Sequence, residues 1–111
     1  MFIIDALQYN HWSEGVFRQM QEGGVSAVHV TICYHEDFRE KVENIEDWNR
    51  RFARHPDLIL PGRSAQDVRR AQQEGRTAII FGSQNCSPIE DDIGLVEMLH
   101  QLGVRFMQLS Y

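Results

Sequence analysis

The feature that most constrains this chain is a repeated punctuation. Gln21-Glu22-Gly23-Gly24, Gln73-Glu74-Gly75 and Gln101-Leu102-Gly103 each close a helix-like stretch and run directly into an apolar, strand-like one. Glycine just past a helix supplies the left-handed turn that ends it. The strands that follow are Ala27 to Tyr34, Thr77 to Gly82 and Val104 to Leu109, and Phe2 to Leu7 forms a fourth at the start. They are rich in Val, Ile and Phe and poor in charge, the pattern of strands buried in a parallel sheet. The alternation β-α-β-α-β-α-β favours parallel crossovers.

The segments between the strands carry helical spacing. Phe38, Val42, Ile45, Trp48 and Phe52 form one apolar stripe, and Ile89, Ile93, Val96 and Leu99 form another. Ser87-Pro88-Ile89-Glu90 reads as a capping box with proline at the first helical position, and Ser64 with Asp67 reads as a second helix start. Trp12, before Ser13, is placed to staple against Phe17. Charged residues between His35 and Arg54 fall mostly off the stripe and read as a solvated face. Leu58-Ile59-Leu60, before Pro61-Gly62, reads as an extended link rather than a barrel strand.

A closed (β/α)8 barrel takes roughly 250 residues, whereas this chain has 111. The expected fold is therefore α/β, the amino-terminal part of a TIM-like (β/α)8 barrel with about four parallel strands. Residues 1–111 are expected to form a single incomplete segment without an internal domain boundary.

Charge and composition narrow the function. A net charge of -5 lacks the basic excess of a nucleic-acid binder, and no apolar run approaches the ~20 residues of a membrane span. The residues after Met1 lack the features of a secretory signal, so the expected location is cytoplasmic. Cys33 and Cys86 match no CxxC spacing and read as reduced, buried thiols.

In this architecture ligands bind at the carboxyl ends of the strands. That directs attention to Gln8 to Ser13, Tyr34 to Asp37, Gly82 to Ser87 and Ser110-Tyr111. The loop Gly82 to Ser87 would open a helix with free amides suited to a carboxylate or other anion, or form a capped turn without a ligand. Neither GxGxxG nor GxxxxGK[ST] occurs, which disfavours a nucleotide domain. Asp5, His11, His35, Glu36 and Asp37 are the candidates for metal chemistry, and no pair among them has a diagnostic spacing. Asp5 is expected to be buried with a hydrogen-bonding role, and His29, His55 and His100 to be structural.

Taken in order, Ile3-Ile4-Asp5, the helix before Gly23-Gly24, the helix through Trp48 to His55-Pro56-Asp57, Ser64-Ala65-Gln66-Asp67-Val68 and Leu102-Gly103-Val104-Arg105-Phe106-Met107-Gln108-Leu109 resemble the amino-terminal portion of the membrane (renal) dipeptidase family, the M19 metallopeptidases. The resemblance implies a TIM-like barrel with two zinc ions that activate water and polarise a dipeptide carbonyl. It also implies departures. Where the family has D-G-H-N-D with a His-x-Asp metal pair, this chain has Asp5-Ala6-Leu7-Gln8-Tyr9, so Leu7 and Tyr9 stand at ligand positions. The V-E-G stretch with the metal-bridging glutamate aligns with Ile80-Phe81-Gly82, which puts Phe81 at the bridging position. The L-T-H stretch with a substrate-contacting histidine aligns with Leu109-Ser110-Tyr111.

The family's remaining metal-binding histidines lie further along than these residues, leaving room for one zinc or other divalent metal held elsewhere. The function implied is a metallodipeptidase-like hydrolase of a dipeptide or small amide with an altered or single-metal site. The pocket candidates are Gln8, Tyr9, His11, Gln84, Asn85 and Tyr111. The alternative is a non-catalytic relative that binds a small ligand. Self-association into a homo-oligomer is left open.

Overall fold

The computed structural model describes residues 1–111. The strands and helices alternate in the order β1 (Ile4–Gln8), α1 (Glu14–Glu22), β2 (Ala27–Thr31), α2 (Phe38–Arg54), β3 (Ile59–Pro61), α3 (Ala65–Glu74), β4 (Thr77–Ser83), α4 (Leu95–Gln101) and β5 (Val104–Met107), with a short 3₁₀ turn at Ser87–Ile89. All pairings are parallel.

β4 is the hub of the sheet. β2 pairs along Ala78 to Gly82, while β3 meets Thr77 to Ile79 and β5 meets Phe81 to Ser83. Since β3 and β5 both overlap positions that β2 also pairs, they share the opposite edge of β4, one at its start and one at its end. Within the stretch read as a link, Ile59–Pro61 is thus a paired strand, which corrects the sequence reading. At three residues it is too short to show a period-two pattern.

The two faces of the sheet are packed differently. Val28, Val30, Ile79, Phe81 and Val104 meet Phe17 and Met20 of α1, Ile45 and Trp48 of α2 and Leu99 of α4 in the main core. On the other face Ala71 of α3 packs on Ala27, Leu60 and Ala78, near the amino ends of the strands. The carboxyl half of that second face is left uncovered in this chain, and Leu7 and Phe106 remain about half exposed. β1 is exposed along most of its length and has only β2 beside it. The expectation of uniformly buried strands therefore holds for β2 and β4 and fails for β1.

Helix starts are fixed by side chains. Ser13 accepts the amide hydrogen of Val16, and Trp12 stacks on Phe17 at 6.1 Å, the anticipated staple. Asp37 with Glu40 and Ser64 with Asp67 form reciprocal capping boxes. Gly75 ends α3 at φ 67°, where a side chain would be strained.

The Ser87 box does not form. Ser87 lies within the 3₁₀ turn, and Glu90 instead accepts the Phe38 amide hydrogen at 3.1 Å. The helix starts only at Leu95, so of the proposed stripe Leu99 is buried while Ile93 is 78% exposed. Asp5 is likewise exposed rather than buried, and its carboxylate accepts the Leu7 amide hydrogen.

Candidate functional site at the carboxyl ends of the strands

Four of the five strands deliver polar and aromatic residues to one end of the sheet. Tyr9 follows β1, Tyr34 and His35 follow β2, Asn85 follows β4 and Tyr111 follows β5. These residues meet edge to face. Tyr34 contacts Tyr9 and Tyr111, each at 5.7 Å, and His35 contacts Tyr111 at 5.4 Å. Such T-shaped contacts favour the positive ring edge against a negative face. Burial raises the Tyr34 phenol above its usual pKa, and neighbouring Tyr9 and Tyr111 add to the effect. The Tyr34 hydroxyl is therefore neutral at physiological pH.

Asn85 joins the cluster through its Nδ2, 3.2 Å from His35 Nδ1, while its Oδ1 accepts the Ser87 amide hydrogen. With Nδ2 as the donor, His35 Nδ1 is the acceptor, which leaves Nε2 as the ring's N–H. Gln84 donates to Thr31 Oγ1 at 2.9 Å. Of the pocket candidates, Tyr9, Asn85 and Tyr111 are thus brought into one cluster and Gln84 is anchored at the end of β2. Gln8 has a buried Oε1 without a partner. His11 is exposed, and only its backbone amide makes a bond, to Asn10 Oδ1.

In the loop from Gly82 to Ser87 the amides of Asn85 and Cys86 have no acceptor within the chain. Those of Gln84 and Ser87 donate to the Cys33 carbonyl and to Asn85 Oδ1, which makes this part of the loop a turn closed on the chain itself. Cys33 is buried, as anticipated, whereas Cys86 is only half-buried, its thiol against the Leu109 carbonyl. Burial raises the Cys33 thiol pKa despite the partial opposing effect of Lys41.

Two further polar groups were not singled out by sequence reasoning as site components. His29 stands on the uncovered face with its Nδ1 2.7 Å from the Ala6 carbonyl, which fixes the proton on Nδ1. Its ring stacks on Phe106 at 4.5 Å, and its Nε2 is buried without a partner. Burial lowers its pKa, so the ring is held neutral. Beside it runs a groove of about 250 Å³ between Leu7, Gln84 and Phe106.

Lys41, assigned to the solvated face of α2, is completely buried and donates to Ser83 Oγ. No carboxylate lies within 4.0 Å of it. Burial brings its pKa down to about 8. The signal was present in the sequence: Lys41 stands four residues before Ile45 and seven before Trp48, on the apolar stripe itself.

The residues at the family ligand positions do not suit a metal pair. Leu7 and Phe81 have no ligating atom, and Phe81 points into the helix-facing core against Trp48 and Phe52 at about 6 Å. Tyr9 offers only a phenol engaged with Tyr34. Nowhere do three or more His, Cys, Asp or Glu residues gather in a way that could hold a metal ion.

Comparison with known proteins agrees with the resemblance. The model of the membrane dipeptidase family, peptidase family M19, matches residues 7–111. A dipeptidase, ataJ, from Aspergillus terreus is 31% identical over 79 residues, which cover 71% of this chain and 19% of that protein. The crystal structure of an amidohydrolase from Pseudomonas aeruginosa superposes with a TM-score of 0.97 at 38% identity, over 99% of this chain and 34% of that one. The probable dipeptidase PvdM from the same organism shares the fold, with a TM-score of 0.78 at 18% identity, over 99% of this chain and 34% of that one. The chain therefore spans about a fifth of the curated dipeptidase it matches and about a third of the solved structures. Its strand-helix alternation is that of part of a barrel of this kind, and the chain belongs to the membrane dipeptidase family, peptidase family M19.

Proposed function

We propose that the intact protein is a dipeptidase-like hydrolase that takes a dipeptide or related small amide at the carboxyl ends of its strands, through an altered or single-metal site. The observation that carries this reading is the cluster of Tyr9, Tyr34, Tyr111 and His35 with Asn85, gathered from four strand ends. In this proposal the Tyr9 and Tyr111 hydroxyls and the His35 Nε2–H donate to the substrate's carbonyl and carboxylate oxygens. Asn85 orients His35, and Gln8, His11 and Gln84 complete the rim. No step is assigned to a metal at Leu7, Tyr9 or Phe81. Residues 1–111 form one incomplete barrel segment that further residues close, and the location is cytoplasmic. No helix here is long and apolar enough to cross a membrane.

A panel of dipeptides and small amides, tested with the intact protein in the presence of added zinc, manganese or no metal, tests this reading. Turnover of a dipeptide that falls at least about tenfold in Tyr111→Phe supports it, since about 1.4 kcal/mol of lost hydrogen bonding is a factor of ten. The replacement of family ligands by Leu7, Tyr9 and Phe81 favours a second reading, a binding protein without catalysis. Saturable dipeptide binding without turnover under every metal condition would establish that alternative.

A further inference from the structure

A second groove, of about 250 Å³, lies between the loop after β1, the loop after β2 and α2. Its walls are the rings of Tyr9, Trp12, Tyr34 and Trp48, with Trp12 edge to face on Trp48 at 5.2 Å. It shares Tyr9 and Tyr34 with the cluster described above, but Arg51 and Glu36 belong to this groove and not to the proposed pocket.

Arg51 is the unexpected feature. Its helical partner by spacing is Asp47, four residues earlier, the ordinary place for an ion pair. Asp47 instead pairs with Arg50 at 2.5 Å, and Arg51 turns its guanidinium onto Trp48, 4.8 Å from the ring centroid. There it makes no ion pair and no hydrogen bond with the protein, although it is half-buried. A guanidinium seated over an aromatic ring and without a protein partner has N–H donors to offer a planar carboxylate.

Glu36 supplies the opposite charge. One oxygen accepts the amide hydrogens of Tyr34 and His35 at 2.5 and 2.9 Å, which fixes the side chain at the groove wall. Burial works to raise its pKa, yet the amide hydrogens prevail and keep the carboxyl below its usual value, so it is charged at neutral pH. Glu36 and Arg51 are not within 4.0 Å of each other and so do not cancel by direct contact. A groove below the ~300 Å³ at which drug-sized pockets begin suits one small molecule rather than a peptide.

We infer that this groove is a binding site for a free α-amino acid with a flat, apolar side chain. The ligand's carboxylate pairs with Arg51, its ammonium with Glu36, and its side chain lies among the Trp12, Trp48 and Tyr9 rings. Asp47, also on the groove wall, is already paired with Arg50, so a cation alone or an anion alone would leave Arg51 or Glu36 unpartnered.

Isothermal titration calorimetry of the intact protein tests the inference with L-phenylalanine, phenethylamine and 3-phenylpropionate. Saturable binding of phenylalanine is expected, with each single-charge analogue at least about tenfold weaker and Arg51→Gln weakening phenylalanine by a similar factor. Glu36→Gln should do the same. Where that variant disturbs the loop, Arg51→Gln and the analogue series decide. The inference is overturned by the absence of saturable binding at millimolar phenylalanine, by unchanged binding in Arg51→Gln, or by equal binding of either analogue. Because the readout is binding rather than turnover, failure here leaves the dipeptidase reading standing, and the reverse also holds.

Discussion

At the scale of single residues, Gly82 and His29 depend on one another. A Cβ on Gly82 would come within 1.6 Å of His29 Nε2, closer than any real contact allows. The Gly82→Ala variant is expected to lose roughly 1–3 kcal/mol by overpacking, measured by denaturant unfolding. Adding His29→Ala should recover much of that loss, because the double change removes the collision. Strand periodicity placed His29 inside β2, but nothing in the sequence revealed that its ring crosses to a glycine on β4. That contact comes from the register that pairs His29 with Ile80, two positions before Gly82.

Lys41 makes a second residue-scale test. Its folded pKa of about 8 lies below the ordinary lysine value of 10.5, so between these values the unfolded chain binds more protons and stability rises with pH. Below about pH 8 both states are protonated and the full cost of the buried ammonium, of order 3 kcal/mol, is present. Lys41→Met is expected to raise Tm at pH 7 and to flatten the increase in stability between pH 8 and 10. The unsatisfied Ser83 hydroxyl limits the gain. An unchanged pH slope in Lys41→Met would show that another group produces it.

At the scale of elements, legibility followed the local chemistry. Helices α1, α2 and α3 announce themselves through Ser13, the stripe from Phe38 to Phe52, and Ser64 with Asp67, because a cap needs only residues three positions apart. Ser64→Ala should remove half of the α3 box and cost about 1 kcal/mol, read as a lower Tm. The less legible elements are those set by distant partners. β3 is a strand because Thr77 to Ile79 offers it an edge. The fourth helix is short because the chain turns through Ser87 to Gly94 first, with Glu90 at φ 53°. Its apolar spacing from Ile89 to Leu99 mimics a longer helix, and only the exposure of Ile93 reveals otherwise.

The candidate site was legible in part for the same reason. Strand order brings Tyr9, Asn85 and Tyr111 to one end, which topology alone anticipates. Tyr34 as their hub, and Arg51 turned away from Asp47, depend on side-chain directions that spacing does not specify.

At the scale of the whole molecule, the sheet has free edges and a half-covered face. β1 and β5 each have one neighbour, and Phe2, Ile4, Leu7, Phe106 and Leu109 are 48–84% exposed. Free strand edges invite pairing with another chain. The 111-residue polypeptide expressed by itself is expected to self-associate, seen as early elution in size-exclusion chromatography. A monomer with a single cooperative unfolding transition would contradict this.

In the function proposed above the intact protein holds no more than one metal ion, because Leu7, Tyr9 and Phe81 do not supply the ligands expected at those positions. Elemental analysis of the intact protein, purified without chelators, tests it most directly. The expected result is no more than one tightly bound divalent ion per chain; two would mean that other residues rebuild the binuclear centre and that the altered-site account is wrong.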